Sequence, residues 1–413
     1  MNIVMFTDAY WPRVNGISVS VESFSRALIR LGHRVMIVCS VYPESLSEEF
    51  KFFTGEVENN GPEEPILLRA PSMPLPLPVS KEDRLAKTSG WFWVAKHIEA
   101  FNPDIVHIHT EFVIAQFGFS YAKLHYLPAV YTFHTMWEDY IFSYFPLAPD
   151  FLLRYIARRV LKGVLRRADL VIVPTPQIRE VVKRYRVRKE TVMLPTGIDP
   201  KQFDHKREDI EAFGKKLEEQ FPGLKGKRIL LFAGRVAQEK NISFLLKLLP
   251  SIREEHPDTV LLIVGNGPDL DSFKKEAEEL GLTDCCFFPG YLKREELSLT
   301  YAVSDIFVFP SITETQGLVT IEAMLSGLPV VAIGEMGTIQ VMNGDNGGFM
   351  VKNDPEEFRK KVCLLLSDRE LYEQKVLDAR AHAASWTIDN MTERLQGVYE
   401  KVLDAWPGKK SGS

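Results

Sequence analysis

The stretch F-P-S-I-T-E-T-Q-G-L-V-T-I-E-A-M-L-S-G-L-P-V-V-A, residues 309–332, decides the fold class of this chain. With the residues just before it, it predicts a strand at Ile306–Pro310, a short loop, a helix at about Leu318–Ser326, a helix stop at Gly327 and a second strand at Pro329–Ile333. Both strands are short apolar runs, as expected of strands buried on both faces. The stretch therefore predicts an α/β domain with a parallel sheet.

Two glutamates eight positions apart, Glu314 and Glu322, give this stretch its chemistry. Glu314 is expected in the loop at the carboxyl end of a strand, where open α/β sheets bind ligands. Glu322 is expected one turn into the helix, after the amides of Gly317, Leu318 and Val319. Amides suit an anion and carboxylates suit hydroxyl groups, so the arrangement fits a sugar nucleotide. The alternative is one glutamate in a surface loop and another on a solvated helix face.

Composition indicates a soluble globular protein with two domains. The 413 residues exceed one ordinary core, and 45% hydrophobic and 25% charged residues are typical of this class. A net charge of −5 offers no global attraction to nucleic acid. No apolar run approaches the ~18–20 residues of a membrane span.

The cysteines and the first residues indicate a reduced compartment. The start, M-N-I-V-M-F-T-D-A-Y, lacks a basic segment and predicts a first strand rather than a signal peptide. Cys39, Cys285, Cys286 and Cys363 are too few for a disulfide framework and lack metal-ligand spacing. We therefore expect a cytosolic protein.

Short apolar runs alternate with amphipathic stretches from end to end. The predicted strands are Ile3–Phe6, Val35–Ser40, Ile66–Arg69, Ile105–His109, Val130–Phe133, Leu170–Pro174, Val192–Pro195, Ile229–Ala233, Val260–Val264, Cys286–Phe288, Ile306–Phe309, Val330–Ile333 and Phe349–Val351. Helical patterns lie between most of them, for example Val19–Leu31, Ser243–Glu254, Ser272–Leu280 and Glu356–Leu366. This alternation of strands and helices predicts two parallel sheets with helices on both faces. The turn-rich segment 195–204 is the expected linker, and Pro71–Pro78 is expected to be a proline-broken loop.

Two further motifs follow predicted strands in the second half. F-A-G-R-V-A-Q-E-K-N, residues 232–241, would place Arg235 and Lys240 at a strand's carboxyl edge, where they could bind a diphosphate; the alternative is two solvated cations. V-G-N-G-P, residues 264–268, would serve either loop packing or close approach to a nucleotide. The adjacent run Asp269–Leu270–Asp271 predicts acidic residues in the first turn of a helix and not a metal site.

The first half carries three features of interest. In T-D-A-Y-W-P-R-V-N-G-I, residues 7–17, the Asn-Gly turn before a helix could offer amides to a phosphate at Gly16. In V-Y-T-F-H-T-M-W-E-D-Y, residues 130–140, His134 lies at the end of a predicted buried strand. His107 and His109 share one face of another strand, and for these we favour sheet packing.

A basic run extends from Arg154 to Lys189, against which stand only two acidic residues. Arg154, Arg158, Lys162 and Arg166 recur every four residues. The apolar residues expected on the other side of this helix are Leu153, Ile156, Val160, Val164 and Leu165. A basic amphipathic helix in a net acidic protein suggests attraction to an anionic membrane surface; the alternative is a solvated helix face.

The motifs together resemble retaining glycosyltransferases of the GT-B fold, family 4 in particular. The residues that carry the resemblance are the E-x7-E run within F-P-S…G-L…E-A-M…G-x-P-V-V-A, the G-R-x-x-x-x-K of residues 234–240 and the T-F-H-T around His134, and the resemblance covers most of the chain. It implies two Rossmann-like doubly wound domains facing a cleft. The domains would be 1–195 with a crossing helix at 386–404, and 196–385, followed by a disordered tail at 405–413.

The resemblance also implies roles for individual residues. The catalytic set is His134, Glu314, Arg235 and Lys240, with His134 touching the donor sugar, Glu314 its hydroxyls and the two cations the diphosphate. The donor-binding set is Gly16, Gly234, Arg235, Lys240, Gly265, Gly267, Tyr291, Glu314, Gly317, Leu318, Val319 and Glu322, of which Glu322 would bind the ribose. Tyr10 and Trp11 would face the acceptor, although Trp11 could equally pack under its loop. No metal is implied.

Within the family, the T-D-x-Y-x-P-x-V-N-G and Y-T-F-H-T-M-W-E-D-Y runs look most like enzymes that glucosylate diacylglycerol. This implies a lipid acceptor, UDP-glucose in preference to GDP-mannose as donor, and a cytoplasmic enzyme on the inner face of the membrane. Arg154, Arg158, Lys162 and Arg166 would hold it there. The alternatives are a mannosyltransferase acting on a phosphatidylinositol-type lipid or a soluble glycan, a sugar-nucleotide epimerase, and a catalytically silent nucleotide-binding module.

Overall fold

The structure is a computed structural model that describes residues 1–13, 15–42, 54–74, 84–135, 148–314 and 316–407. The chain forms two compact units, Met1–Gly197 together with Ile388–Ser413, and Ile198–Thr387. Part of the expected tail, residues 408–413, lies outside the described residues. The expectation of disorder is wrong for Ala405 and Trp406, because Ala405 ends a helix and the Trp406 indole donates to the Tyr126 carbonyl at 2.6 Å.

The first unit is built on a sheet that holds eight strands among the described residues, in the order β10-β9-β8-β7-β1-β2-β4-β3. Every neighbouring pair is parallel except β3 and β4. The strands of this unit are β1 (Asn2–Phe6), β2 (Arg34–Ser40), β3 (Glu56–Glu58), β4 (Ile66–Ala70), β5 (Ser72–Pro74), β6 (Arg84–Ala86), β7 (Ile105–Ile108), β8 (Ala129–Thr132), β9 (Leu170–Val173) and β10 (Glu190–Met193).

The second unit holds a wholly parallel sheet in the order β13-β12-β11-β14-β15-β16. Its strands are β11 (Arg228–Ala233), β12 (Thr259–Val264), β13 (Cys286–Gly290), β14 (Ile306–Phe309), β15 (Val330–Ile333) and β16 (Gly348–Val351). Strands such as β12 and β15 are buried along their whole length, which explains why they are continuous apolar runs. The predicted α/β class is confirmed, with a wholly parallel second sheet and a first sheet that is parallel except at its edge strand β3.

Helices connect most of these strands. In chain order they are α1 (Gly16–Arg30), α2 (Trp91–Phe101), α3 (Val113–Leu124), α4 (Asp150–Arg167), α5 (Pro176–Arg184), α6 (Arg207–Gln220), α7 (Ile242–Glu255), α8 (Leu270–Glu279), α9 (Arg294–Val303), α10 (Leu318–Leu325), α11 (Gly337–Met342), α12 (Pro355–Ser367), α13 (Arg369–Ala383) and α14 (Ile388–Ala405). The last helix belongs to the first unit, because its Leu395 and Tyr399 are buried in the same apolar cluster as Val21 and Leu28 of α1. None of the helices described here is long and apolar enough to cross a membrane.

Three short strands were not predicted. β3 pairs antiparallel with β4, where Arg69 forms ion pairs with Glu56 and Glu58. β5 and β6 form a separate two-stranded ribbon, so Ser72–Pro74 is a strand and not part of a loop. The rest of the expected loop, residues 75–78, lies outside the described residues. Three-residue strands rich in charge or proline carry no apolar period, so pairing with a neighbour alone defines them.

Candidate active site

The second sheet reverses its strand order between β11 and β14, which are neighbours although β12 and β13 separate them in the chain. In open α/β sheets, ligands bind at such a reversal, outside the carboxyl ends of the strands. The loops that leave this point, residues 234–241 and 310–317, carry Arg235, Lys240 and Glu314. The fold therefore places three of the predicted residues at one edge.

Lys240 and Glu314 form an ion pair between these two loops, in which the Lys240 ammonium donates to Glu314 Oε1. Only 12% of the lysine side chain and 17% of the glutamate side chain are exposed. Little water therefore screens the pair, and removing one partner would leave a partly buried charge. An anion brought to Lys240 would have to share its charge with Glu314.

Three hydrogen bonds fix the loop around Glu314. The Asn241 amide donates to the Pro310 carbonyl at 3.3 Å, and the Thr313 hydroxyl donates to the Glu239 carbonyl at 3.3 Å. The Gly337 N–H donates to the carbonyl of Glu314 itself at 2.8 Å. The loop that carries the Glu314 carboxylate is therefore held by hydrogen bonds to residues 239–241 and to Gly337.

Arg235 lies at the same edge in a different environment. Its side chain is 56% exposed and its Nη1 lies 3.6 Å from Glu239 Oε1, so it pairs with Glu239 and not with Glu314. An exposed pair of this kind contributes about 0–1 kcal/mol, and the guanidinium can turn toward an anion at little cost.

The glycines of V-G-N-G-P are needed for packing between loops. A Cβ on Gly265 would lie 1.8 Å from the Gly234 carbonyl oxygen, and one on Gly267 would lie 2.1 Å from that of Val236. Gly234 and Gly265 also have φ values of +155° and +138°, which L side chains rarely adopt. Of the two interpretations of this motif, loop packing is directly visible; contact with a nucleotide stays a prediction.

Helix α10 begins beside Glu314. Gly317 precedes it with φ +74° and ψ +44°, and a Cβ there would lie 3.9 Å from Glu314 Cβ. The amides of Leu318 and Val319 form the first turn of this helix, where N–H groups have no partner within the helix. Tyr291 follows β13 and is 57% exposed, next to Gly290, whose carbonyl accepts from the Gly265 N–H at 2.9 Å.

Glu322 is partly buried on α10, and the sequence had not indicated its partner. The Tyr301 hydroxyl, on α9 and 1% exposed, donates to Glu322 Oε2 at 3.1 Å. Burial raises the pKa of the Glu322 carboxyl, although Arg294 and the Tyr301 hydrogen bond oppose the shift. A buried tyrosine gives no sequence signal of this kind, since only packing of α9 against α10 brings the two together.

Glu322→Gln should raise the melting temperature near pH 8. A carboxyl whose pKa is raised on folding stabilises the fold below its unfolded-state pKa of about 4.3, and this contribution is lost as the pH rises through the folded-state pKa. Glutamine keeps the acceptor for Tyr301 without the charge, so its advantage should shrink near pH 4. Thermal unfolding of both proteins at the two pH values measures this. A variant that is less stable at pH 8 would contradict the expectation.

At the corresponding edge of the first unit, Asn15 caps α1. Its Oδ1 accepts from the Ile17 and Ser18 N–H groups at 3.0 and 2.9 Å, so two amides expected to face a phosphate are already used. A Cβ on Gly16 would meet nothing within 4 Å, so packing does not require a glycine there. The site predicted at Gly16 therefore has fewer donors than expected.

Tyr10 and Trp11 are both held by the first unit. Tyr10 is 3% exposed in the apolar core, which argues against the predicted contact with an acceptor. The Trp11 indole donates to Glu22 Oε2 at 2.8 Å, and Arg69 donates to the Trp11 carbonyl at 2.9 Å. Trp11 also packs against the apolar core of this unit, which fits the packing alternative; its contact with an acceptor stays a prediction.

His134 lies two residues beyond β8 and contacts a second histidine. Its Nε2 lies 3.1 Å from Nδ1 of His109, and the His109 ring contacts that of His107 in a tilted arrangement with ring centroids 4.0 Å apart. Burial lowers the pKa of His134 to about 4 and that of His107 to about 3, and it also lowers the pKa of His109. All three imidazoles are therefore neutral at pH 7. The part of the predicted motif at 136–140 lies outside the described residues.

Helix α4 exposes more apolar surface than expected. Leu153, Ala157, Leu161, Val164 and Leu165 are buried, whereas Ile156 and Val160, expected on the buried side, are 44% and 42% exposed. Phe151 and Tyr155 are 76% and 59% exposed on the same helix. The basic residues Arg158 and Arg166 are exposed and Arg154 and Lys162 are half-buried, with Arg154 paired to Asp150 at 2.8 Å.

Asp269, one of the two acids of the D-x-D run at this edge, already accepts a hydrogen bond. Asp269 Oδ2 accepts from the Gln238 N–H at 3.0 Å, so this carboxylate is engaged in tying two loops together. Within the described part of the chain, one group of possible ligands comes together elsewhere, Glu255, His256 and Cys363. The Arg359 guanidinium is bonded to Glu255 there and would repel a cation.

Two family models match the chain, one to each half. Residues 14–202 match the model described as Glycosyltransferase Family 4, and residues 215–382 match Glycosyl transferases group 1. Together the matches extend over both sheets.

Two curated relatives carry the name alpha-monoglucosyldiacylglycerol synthase. The relative from Streptococcus pneumoniae is 30% identical over 338 residues, which cover 81% of this chain and 71% of the relative. The relative from Acholeplasma laidlawii is 27% identical over 415 residues, which cover 98% of each.

Solved structures share the fold over nearly the whole length. Sucrose-phosphate synthase from Thermosynechococcus elongatus has a TM-score of 0.76 at 20% identity, covering 98% of this chain and 99% of that chain. Anabaena Alr3699/HepE, solved in complex with UDP-glucose, has a TM-score of 0.75 at 17% identity, covering 97% of this chain and 100% of that one.

Proposed function

Because the chain belongs to the family 4 glycosyltransferases and has their GT-B fold, we propose that it moves a hexose, with glucose favoured, from a nucleotide sugar to a membrane lipid, with diacylglycerol as first candidate. The predicted family and enzyme class, a glycosyltransferase, are confirmed by this membership. The observation that carries the donor site is the Lys240–Glu314 pair at the strand reversal of the second sheet. The lipid acceptor rests on the names of the two relatives and on the exposed face of α4.

In the proposed complex, Arg235 and Lys240 bind the diphosphate and neutralise the charge that develops as it leaves. Glu314 accepts hydrogen bonds from the sugar hydroxyls. Glu322 accepts those of the ribose while Tyr301 holds its second oxygen. The first amides of α10 contribute donors to the phosphate, as helix N-termini do. UDP-glucose is the favoured donor and GDP-mannose the alternative.

We propose transfer with retention of the anomeric configuration. In the mechanism that the family resemblance implies, the acceptor hydroxyl attacks on the face that the diphosphate leaves, without a covalent intermediate on the protein. A phosphate oxygen of the leaving group then takes the acceptor proton. The task of the protein is to hold both reactants and to stabilise charge, for which two cations beside a carboxylate are suited.

The test is a thermal-shift screen of nucleotide sugars, followed by transfer of radiolabelled sugar with and without lipid vesicles. Stabilisation by UDP-glucose and label in diacylglycerol would support the proposal. Label from GDP-mannose in a phosphatidylinositol lipid or a soluble glycan would favour the mannosyltransferase alternative. Conversion of the donor sugar without an acceptor would indicate an epimerase. Binding without any turnover would indicate a silent module.

The exposed face of α4 supports a peripheral association with anionic membrane. Phe151, Tyr155 and Ile156 provide apolar area, and a lysine or arginine close to such a surface contributes about 1 kcal/mol. Replacing Arg154, Arg158, Lys162 and Arg166 by Gln should release the protein from acidic vesicles. Binding of the unmodified protein should weaken as salt rises, because the Debye length falls from about 10 Å at 0.1 M to about 3 Å at 1 M. Vesicle sedimentation across a salt series measures both.

A control variant separates this surface from net charge alone. Lys215, Lys216, Lys225 and Lys227 are exposed on the second unit, and their replacement by Gln removes the same charge. This variant should sediment with vesicles like the unmodified protein. If the unmodified protein does not sediment with anionic vesicles at low salt, a soluble glycan acceptor becomes the better hypothesis.

We also expect transfer to survive EDTA. The role of a metal at the diphosphate is assigned to Arg235 and Lys240, and Asp269 is engaged by the Gln238 N–H. Divalent ions could still speed release of the nucleotide product by pairing with it. Turnover is measured after dialysis against chelator and after return of manganese. Loss by chelation with recovery by manganese would make Asp269 or Asp271 a metal ligand.

A further inference from the structure

We propose that His109 is a positioning residue that holds His134 in its Nδ1–H tautomer, so that the Nδ1–H of His134 is presented as a hydrogen-bond donor to the donor sugar. The inference rests on the proposed function, since a contact between His134 and the donor sugar is what the resemblance to this glycosyltransferase family implies. Its structural part, the tautomer, can be tested without any substrate.

The contact between the two rings is direct and partly buried. His109 Nδ1 and His134 Nε2 are 3.1 Å apart, and the rings lie at an interplanar angle of 29° with centroids 5.4 Å apart. His109 is 1% exposed. Since both imidazoles are neutral at pH 7, one nitrogen of this pair must carry the proton and the other must accept it.

The other nitrogen of His109 decides which one donates. His109 Nε2 is buried and has no hydrogen-bond partner among the described residues. If it carried the proton, a buried N–H would be left without an acceptor, and orphaned donors are rarer in proteins than under-satisfied acceptors. The proton of His109 therefore lies on Nδ1, which donates to His134 Nε2. The proton of His134 must then lie on its own Nδ1.

His107 and α14 hold the His109 ring in place. The His107 ring packs against the His109 ring at an interplanar angle of 39°, with centroids 4.0 Å apart. His107 is itself fixed by the Tyr399 hydroxyl at 2.6 Å on Nδ1 and the Thr132 hydroxyl at 2.7 Å on Nε2. Hydroxyl groups can donate or accept, so these partners satisfy His107 in either tautomer. Its packing thus supports the orientation of His109 without setting its proton.

The first test is nitrogen NMR of protein labelled with 15N-histidine, in which the nine histidines are assigned by substitution. His134 should show a protonated Nδ1 and a bare Nε2, the reverse of the tautomer favoured by free imidazole side chains in water. His109→Leu should return His134 toward the ordinary Nε2–H form. A wild-type His134 protonated on Nε2 would overturn the proposal, whatever the protein transfers.

The second test is kinetic and uses a conservative variant. His109→Asn places an amide N–H close to the position of Nδ1 and should keep turnover within about threefold, whereas His109→Leu should lower kcat about tenfold, as expected for one lost hydrogen bond. Nucleoside diphosphate affinity should stay unchanged in both. Tyr399→Phe is the control, because it disturbs the same cluster one ring away and should leave the His134 tautomer and kcat intact.

These outcomes separate the inference from the proposed function. A wild-type protein that transfers no sugar overturns the proposed function, and the NMR result then decides the tautomer alone. A wild-type protein that transfers sugar, with His109→Leu folded and equally active, overturns the positioning role. Equal losses in His109→Leu and His109→Asn would also count against it, because the amide should rescue.

Discussion

Lys240→Ala should lower kcat/KM by roughly 30- to 1,000-fold, a loss of about 2–4 kcal/mol of transition-state stabilisation. Lys240 is a mostly buried cation at the edge where the diphosphate is proposed to leave, and its effect grows as water is excluded. The loss should lie mainly in kcat. Arg235→Ala should fall in the same range, although Arg235 is more exposed. Steady-state transfer kinetics measure both.

Lys240→Ala has two effects. It removes the cation proposed to bind the diphosphate, and it leaves Glu314 without its ion-pair partner. Lys216→Ala is a control for the loss of one ion-paired lysine, since Lys216 lies in the same unit, 3.0 Å from Glu296, with its side chain exposed. The control should keep full activity, and circular dichroism should show both variants folded. Wild-type transfer rates in Lys240→Ala would remove Lys240 from the site.

Glu314→Gln should cut transfer about 10- to 100-fold, because a hydrogen bond to a charged group is worth about 1.5–3 kcal/mol. Affinity for the nucleoside diphosphate should stay nearly intact. In this variant the Lys240 ammonium is no longer bonded to a carboxylate, so its full charge remains available to a phosphate. Calorimetry with the diphosphate and with the intact nucleotide sugar distinguishes the two effects.

Glu322→Gln tests the role of the second glutamate by the same binding measurements. If Glu322 binds the ribose, its replacement should weaken the diphosphate and the nucleotide sugar alike, because both carry that ribose. Its folded state is supported by the same Tyr301 hydrogen bond, so loss of binding is not expected to come from unfolding. Equal loss of diphosphate binding in Glu314→Gln and Glu322→Gln would show that the two roles are wrongly assigned.

Strands that are buried on both faces could be predicted, because such strands consist of continuous apolar residues. β12 and β15 are such strands, and their predicted and observed bounds agree within one residue. The short strands could not be predicted. β3 consists of Glu56, Val57 and Glu58, and its strand character comes from pairing with β4 and from ion pairs to Arg69. Composition alone describes such a segment as a loop.

Helix α4 shows a second limit of pattern reasoning. The period of its apolar residues predicts one buried face that includes Ile156 and Val160, yet these two residues are exposed while Ala157 and Leu161 are buried. A helix with apolar residues on more than one side has several possible faces, and contact with the rest of the unit selects among them. The result is an exposed apolar and basic surface on α4. The vesicle experiment tests whether this surface binds a membrane.

The sequence by itself determined the two-sheet α/β class and the elements that carry Arg235, Lys240, Glu314 and Glu322, because local apolar periods are properties of neighbouring residues. Its motifs indicated the glycosyltransferase family by resemblance. Only the tertiary structure decided which charges meet. The Lys240–Glu314 pair joins residues 74 positions apart, and the His109–His134 contact joins residues 25 positions apart. Both depend on the order in which parallel strands lie in the sheet. That order is set by the packing of whole helices and strands, so no local pattern of residues encodes it.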